Sequence, residues 1–177
     1  MLRAFYILIM ISSYVIFFNH SYAQPSLDNL KFKNNVLIGE IHFRFWFWSI
    51  YDAKLYSTQK PFKFNQGFLL EITYLRNFSS QAIAKESIQQ IQSQNPQLNQ
   101  ELLDQWQRQL EKIFPNIKEG DQLIGYYSPK GYAYFYDKNA NFLGQIDSPE
   151  FSRYFFDIWL SDKSENITLS RKLRGLN

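Results

Sequence analysis

The clearest pattern in the chain is an alternation. Ile41, Phe43, Phe45 and Phe47 share one parity, while Glu40, His42, Arg44 and Trp46 share the other. Period two predicts a strand with one buried face, and it predicts that the four apolar residues of the first set pack beneath other elements. Residues 49–57 continue extended, through a bend, and Lys60-Pro61 marks a loop. A second alternation over 68–74 sets Phe68, Leu70 and Ile72 against Leu69, Glu71 and Thr73. The period then changes. Ile83, Ala84, Ile88 and Ile91 predict a helix opened by Ser79 or Ser80 and broken at Asn95-Pro96. Leu102, Leu103, Trp106, Leu110 and Ile113 predict another over 99–114, stopped by Pro115.

Three strands are predicted next, over 122–128, 132–136 and 141–146. Pro129-Lys130-Gly131 and Asp137-Lys138-Asn139-Ala140 connect them as a meander. Ser148-Pro149-Glu150 opens a helix with a cap, a first-turn proline and an acid near the positive dipole end. Its apolar face is Phe151, Tyr154, Phe155, Ile158 and Trp159, and a short helix over 168–173 ends at Gly175. Strands, two helices, strands, then helices is an α+β order: an antiparallel sheet with a layer of helices packed on one face.

The first residues read differently. Arg3, an apolar run over 4–18 and the small residues of Ser21-Tyr22-Ala23 have the form of a signal peptide, residues 1–23, cleaved after Ala23. The run is shorter than the ~20 residues of a membrane span, so no stable membrane anchor is expected after cleavage. Residues 24–35 form a polar lead-in, and 36–177 form one domain. The expected location is periplasmic or secreted. The chain has no cysteine. An exported domain without disulfides must be held by its core, and thiol chemistry and thiolate metal sites are excluded. Cleavage would leave His42 as the sole histidine, so no metal site is expected. A hydrogen-bonded surface role suits His42 better. The net charge of +3 is scattered, apart from Arg171-Lys172-Leu173-Arg174. No basic stripe of the kind nucleic acids require is present.

Four stretches carry a resemblance: "IYDAKLY" (50–56), "EITYLRNFSSQAIAKES" (71–87), "LEKIFPNIKEGDQL" (110–123) and "FFDIWL" (155–160). In order and spacing the chain resembles the chalcone isomerase-like proteins of bacteria, from about residue 36 to 176. The resemblance implies an open-faced β-sandwich with a pocket between sheet and helices. It also implies one of two activities: closure of a chalcone into a flavanone, or non-catalytic fatty-acid binding. Gly39 and Tyr51 match the family in register, and Tyr51 falls where fatty-acid binders place a carboxylate-contacting tyrosine. The family arginine falls on Phe43, between His42 and Arg44. Either a bulge turns Arg44 into the pocket or the cation is lost. Tyr74 stands where isomerases have a lysine, Ile83 where they have the active-site tyrosine, and Gln90 where they have an asparagine. Without those groups, stabilisation of developing charge is largely gone. That argues against catalysis and leaves no catalytic residue to name.

Arg76 matches a basic position of the motif. It can reach a ligand carboxylate or pair with an acid such as Glu86. The expected function is therefore an exported, non-catalytic binding protein for a small lipophilic, fatty-acid-like carboxylate. Its site is drawn from Arg44, Tyr51, Tyr74, Arg76, Ile83 and Gln90, and no cofactor is required. The alternatives are an isomerase or lyase on another lipophilic substrate, and a module for a protein partner or weak homodimer with a filled core. Trp46 and Trp48 exposed together would point to the last. Trp106 and Trp159 are expected in the core.

Overall fold

The structure is a computed structural model that describes residues 35–176. The expected signal peptide and nearly all of the polar lead-in lie outside the described residues. One six-stranded antiparallel sheet runs in sequence order: β1 (Val36–Phe45), β2 (Trp48–Ser57), β3 (Phe68–Tyr74), β4 (Gln122–Tyr127), β5 (Ala133–Asp137) and β6 (Phe142–Ile146). The β3–β4 connection carries α1 (Ser80–Gln94) and α2 (Gln100–Ile113). After β6 come α3 (Pro149–Leu160) and α4 (Ile167–Leu173). The order is that of the periodicity, with ends shifted by a residue or two.

Each helix begins on a side-chain cap. Ser79, Asn99, Ser148 and Asn166 accept the backbone N–H of Ala82, Leu102, Phe151 and Leu169 respectively. Parity then decides which face each strand buries. Ile41, Ala53, Ile72 and Leu123 are successive cross-strand partners, and all four are buried in the core under the helices. The opposite face carries the His42–Asp52 pair at 2.6 Å and a small cluster of Leu69, Ile124 and Tyr136. Two glycines are set by close approach. A Cβ at Gly125 would lie 2.9 Å from the Phe156 ring, and one at Gly39 would collide with the backbone carbonyls of Lys172 and Leu173. Gly39 therefore lets α4 sit directly on β1.

The first strand departs from expectation. β1 stops at Phe45, and the chain reverses through Trp46 and Phe47 into β2, with Phe45 paired to Trp48. Phe45 and Phe47 do not pack under the helices: they are 62% and 84% exposed, and Trp46 and Trp48 are 81% and 59% exposed. The reversal carries these residues past the cover of the helical layer. Phe43 is half-buried. The bulge beside Arg44 is on β2: Phe43 pairs with Tyr51 and Arg44 with Ser49, leaving Ile50 as the extra residue. β1 has its own bulge only at Ile38, between Leu37 and Gly39, which lies well before Arg44 and does not turn it. Arg44 stays exposed, on the parity opposite Phe43 and Phe45.

Candidate ligand cavity

A cavity of about 480 Å³ lies between β1–β3 and the helices α1, α3 and α4, within the 300–1,000 Å³ range of small-molecule sites. The core is thus not filled at this end of the sheet. Ile41, Phe43, Ile50 and Ile72 form part of the floor, Ile83 and Ser87 one wall, and Phe155, Ile158 and Trp159 another. Ser164, Glu165, Asn166 and Leu169, at the approach to α4 and in its first turn, also line it.

Three aromatic residues make a row across the floor. Phe43 pairs with Tyr51, which pairs with Tyr74 on the next strand. The Phe43 and Tyr51 rings stack with centroids 4.9 Å apart. The indole Nε1–H of Trp159 donates to the Tyr51 hydroxyl at 3.0 Å. Since that oxygen accepts from the indole, its own O–H remains available as a donor. Burial pushes the Tyr51 phenol up to about 12; the Trp159 N–H lowers it in part, and the Glu86 carboxylate raises it. Burial, with a smaller contribution from Tyr51, raises the Tyr74 phenol as well. Both are neutral donors near pH 7. The Tyr74 ring packs on Phe78 at 5.7 Å.

Of the residues expected at the site, Tyr51, Tyr74, Ile83 and Gln90 all line this cavity. Arg44 and Arg76 are not among the lining residues. The Arg76 guanidinium lies 4.2 Å from the centre of the Trp48 ring. Glu86, offered as its ion-pair partner, instead accepts from Gln90 at 3.0 Å. The ionisable side chains of the lining are two carboxylates, Glu86 and Glu165, and the two phenols. Among the described residues no group of three or more His, Asp or Glu is placed to hold a metal ion. His42 faces away, with its Nδ1 toward Asp52 and its Nε2 2.9 Å from Ser49 Oγ.

Trp159 is the residue that the sequence reading missed. Periodicity puts it on the apolar face of α3, where a core role is the simple choice. The available signal is chemical: a buried indole N–H needs a partner, and that partner is Tyr51. Trp106 is in the core as expected, 5.5 Å from Phe151.

The sheet order, the single helical layer and a pocket between the two define an open-faced α+β fold. The sequence profile described as chalcone isomerase-like matches residues 41–175, and the chain belongs to that family. No curated protein matches it in sequence. Among solved structures it is similar to a fatty-acid binding protein of Arabidopsis thaliana. The TM-score is 0.61 at 9% identity, over 81% of this chain and 88% of that one. At that identity the likeness concerns the fold.

Proposed function

We infer that the protein is a non-catalytic binder of one small lipophile with a fatty-acid-like head, held between the sheet and the helices. The observation that carries this reading is the cavity itself: an apolar hollow with two neutral phenols on its floor. The name of the Arabidopsis neighbour is consistent with it. An apolar tail would be driven in by burial, at about 25 cal/mol per Å². The head would accept from Tyr51, with its oxygen fixed by Trp159, and from Tyr74. The guanidinium expected beside the head is not part of this proposal, since neither Arg44 nor Arg76 lines the cavity. With Glu86 and Glu165 in the lining instead, a carboxyl head is favoured in its protonated form.

Catalysis of the chalcone-closing kind has less support. Ile83 occupies the wall where the family enzymes carry a tyrosine, and the phenols present are held protonated. For the cell, residues 1–23 are proposed as a cleaved signal that delivers the domain to the periplasm or the exterior. N-terminal sequencing of protein from its host tests that proposal: Gln24 as first residue is expected, and an intact Met1 contradicts it.

Titration with cis-parinaric acid and displacement by unlabelled fatty acids tests the binding. Saturable binding at one site per chain is expected. Tyr51→Phe removes one hydrogen bond, worth about 0.5–1.5 kcal/mol, so its affinity should fall roughly two- to twelvefold. Absence of saturable binding overturns the reading.

A further inference from the structure

The four residues Phe45-Trp46-Phe47-Trp48 at the β1–β2 reversal break two local rules at once. Two-residue hairpin loops favour Gly, Asn or Asp, because a positive φ is required. Here the residue at φ 57° is Trp46. Large rings are ordinarily withdrawn from water, yet these are 62%, 81%, 84% and 59% exposed in order. At roughly 150–250 Å² per ring, the four present on the order of 500 Å² of aromatic surface. That is a large patch for so few residues, concentrated on a narrow hairpin end.

We propose that this hairpin tip is a contact with the lipid–water interface, seating its rings among the headgroups of a bilayer that contains anionic lipid. Three observations select that occupant. The first is ring chemistry: tryptophan concentrates at membrane interfaces, where its apolar body and polar N–H are both satisfied. The second is charge. Arg44 precedes the tip, is exposed, and forms no ion pair among the described residues. Arg76 lies over Trp48. Two cations flanking an aromatic tip complement anionic headgroups, although Glu119 borders the same cleft as Trp48 and Arg76. The third is shape: a four-residue convex end offers less than the about 800 Å² that each partner gives to a standard protein interface.

The tip is continuous with the cavity, because Phe43 and Phe45 line it while Phe45 is also part of the exposed set. Docking the tip would set the cavity beside the bilayer. The hollow then takes its lipophile directly from the membrane instead of from dilute solution. This last step rests on the binding proposed above; the contact itself does not.

The test is flotation of the whole protein with phosphatidylcholine vesicles, with and without phosphatidylglycerol, alongside the Trp46→Gly/Phe47→Ser variant. Neither residue lines the cavity, and glycine accepts the positive φ at 46. The wild type should float, more so with phosphatidylglycerol, and its tryptophan emission should shift to the blue. The variant should bind vesicles at least about tenfold more weakly while taking up soluble cis-parinaric acid as well as the wild type. A wild type that ignores both vesicles, or a variant that floats equally well, overturns the proposal. A dimer in solution that the variant abolishes, without vesicle binding, overturns it in favour of a contact between copies. Flotation that depends on the tip, in a protein that binds no cis-parinaric acid, upholds the contact and removes the lipophile reading.

Discussion

The two ends of the sheet use the same kinds of ring in different ways. Around β3–β5, Phe68 stacks on Tyr127 at 4.9 Å and meets Phe156 edge-on at 5.0 Å. Phe135 sits between Phe114 at 5.2 Å and Phe155 at 5.3 Å. These rings interlock, and Gly125 gives up its side chain so that Phe156 can approach. Under β1–β3 a cavity of about 480 Å³ lies against Phe43, Tyr51, Tyr74 and Trp159, with Phe155 shared between the two ends. The difference is in their polar atoms. Phenylalanine closes a core without further demands. A buried tyrosine or tryptophan brings a donor that must be satisfied. Trp159 satisfies its own on Tyr51, which leaves the Tyr51 O–H available as a donor beside the hollow. The solid end is closed by ring on ring, and the other end leaves an open hollow.

The largest effect should come from truncation at the solid end. Phe156→Ala removes a fully buried ring and should cost about 3–5 kcal/mol in chemical denaturation. Phe43→Ala, on the half-buried cavity wall, should cost less than half as much. Equal losses at the two positions would break the distinction between the ends. Next is a change that fills the hollow. Ile83→Trp adds bulk where space already exists, so stability should change by no more than about 1 kcal/mol while cis-parinaric acid binding is lost. A destabilisation in the 1–3 kcal/mol range of overpacked cores would mean that the wall position is already full. The two- to twelvefold effect of Tyr51→Phe follows, and separates a polar contact from simple burial.

The last effect is confined to alkaline pH. The unfolded phenol loses its proton near 10, whereas folded Tyr51 holds it to about 12. Between those values the native state binds the extra proton, so stability falls as pH rises. For one such group the slope is about 1.4 kcal/mol per pH unit. Tyr51→Phe should make the decline between pH 10 and 12 shallower by up to that amount. An unchanged slope would show that the Tyr51 phenol is not protected.

Much of this contrast was legible in the residues. Periods of two and 3.6 located the β3 strand, both helices of the β3–β4 connection and the closing meander. Those segments are amphipathic and flanked by ordinary caps and breakers. The Trp46–Phe47 reversal was not legible, because no Gly, Pro, Asn or Asp marks it. An alternation that continues through a turn reads as one strand and assigns Phe45 and Phe47 to a buried face, whereas both are largely exposed. At the site, resemblance brought in Tyr51, Tyr74, Ile83 and Gln90, and all four line the cavity. It also brought in Arg44 and Arg76, which do not. Alternation alone puts Arg44 opposite Phe43, and the bulge that could have rescued it sits on the partner strand. Trp159 and Tyr51 lie 108 residues apart in the chain, and no local pattern encodes their pairing.

Native mass spectrometry of the protein purified from its own host, beside Ile83→Trp prepared in the same way, tests the central claim most directly. One lipophile per chain on the wild type, absent from the variant, is the expected result. A bare chain mass for the wild type that added fatty acid does not shift, or an adduct that survives Ile83→Trp, contradicts it.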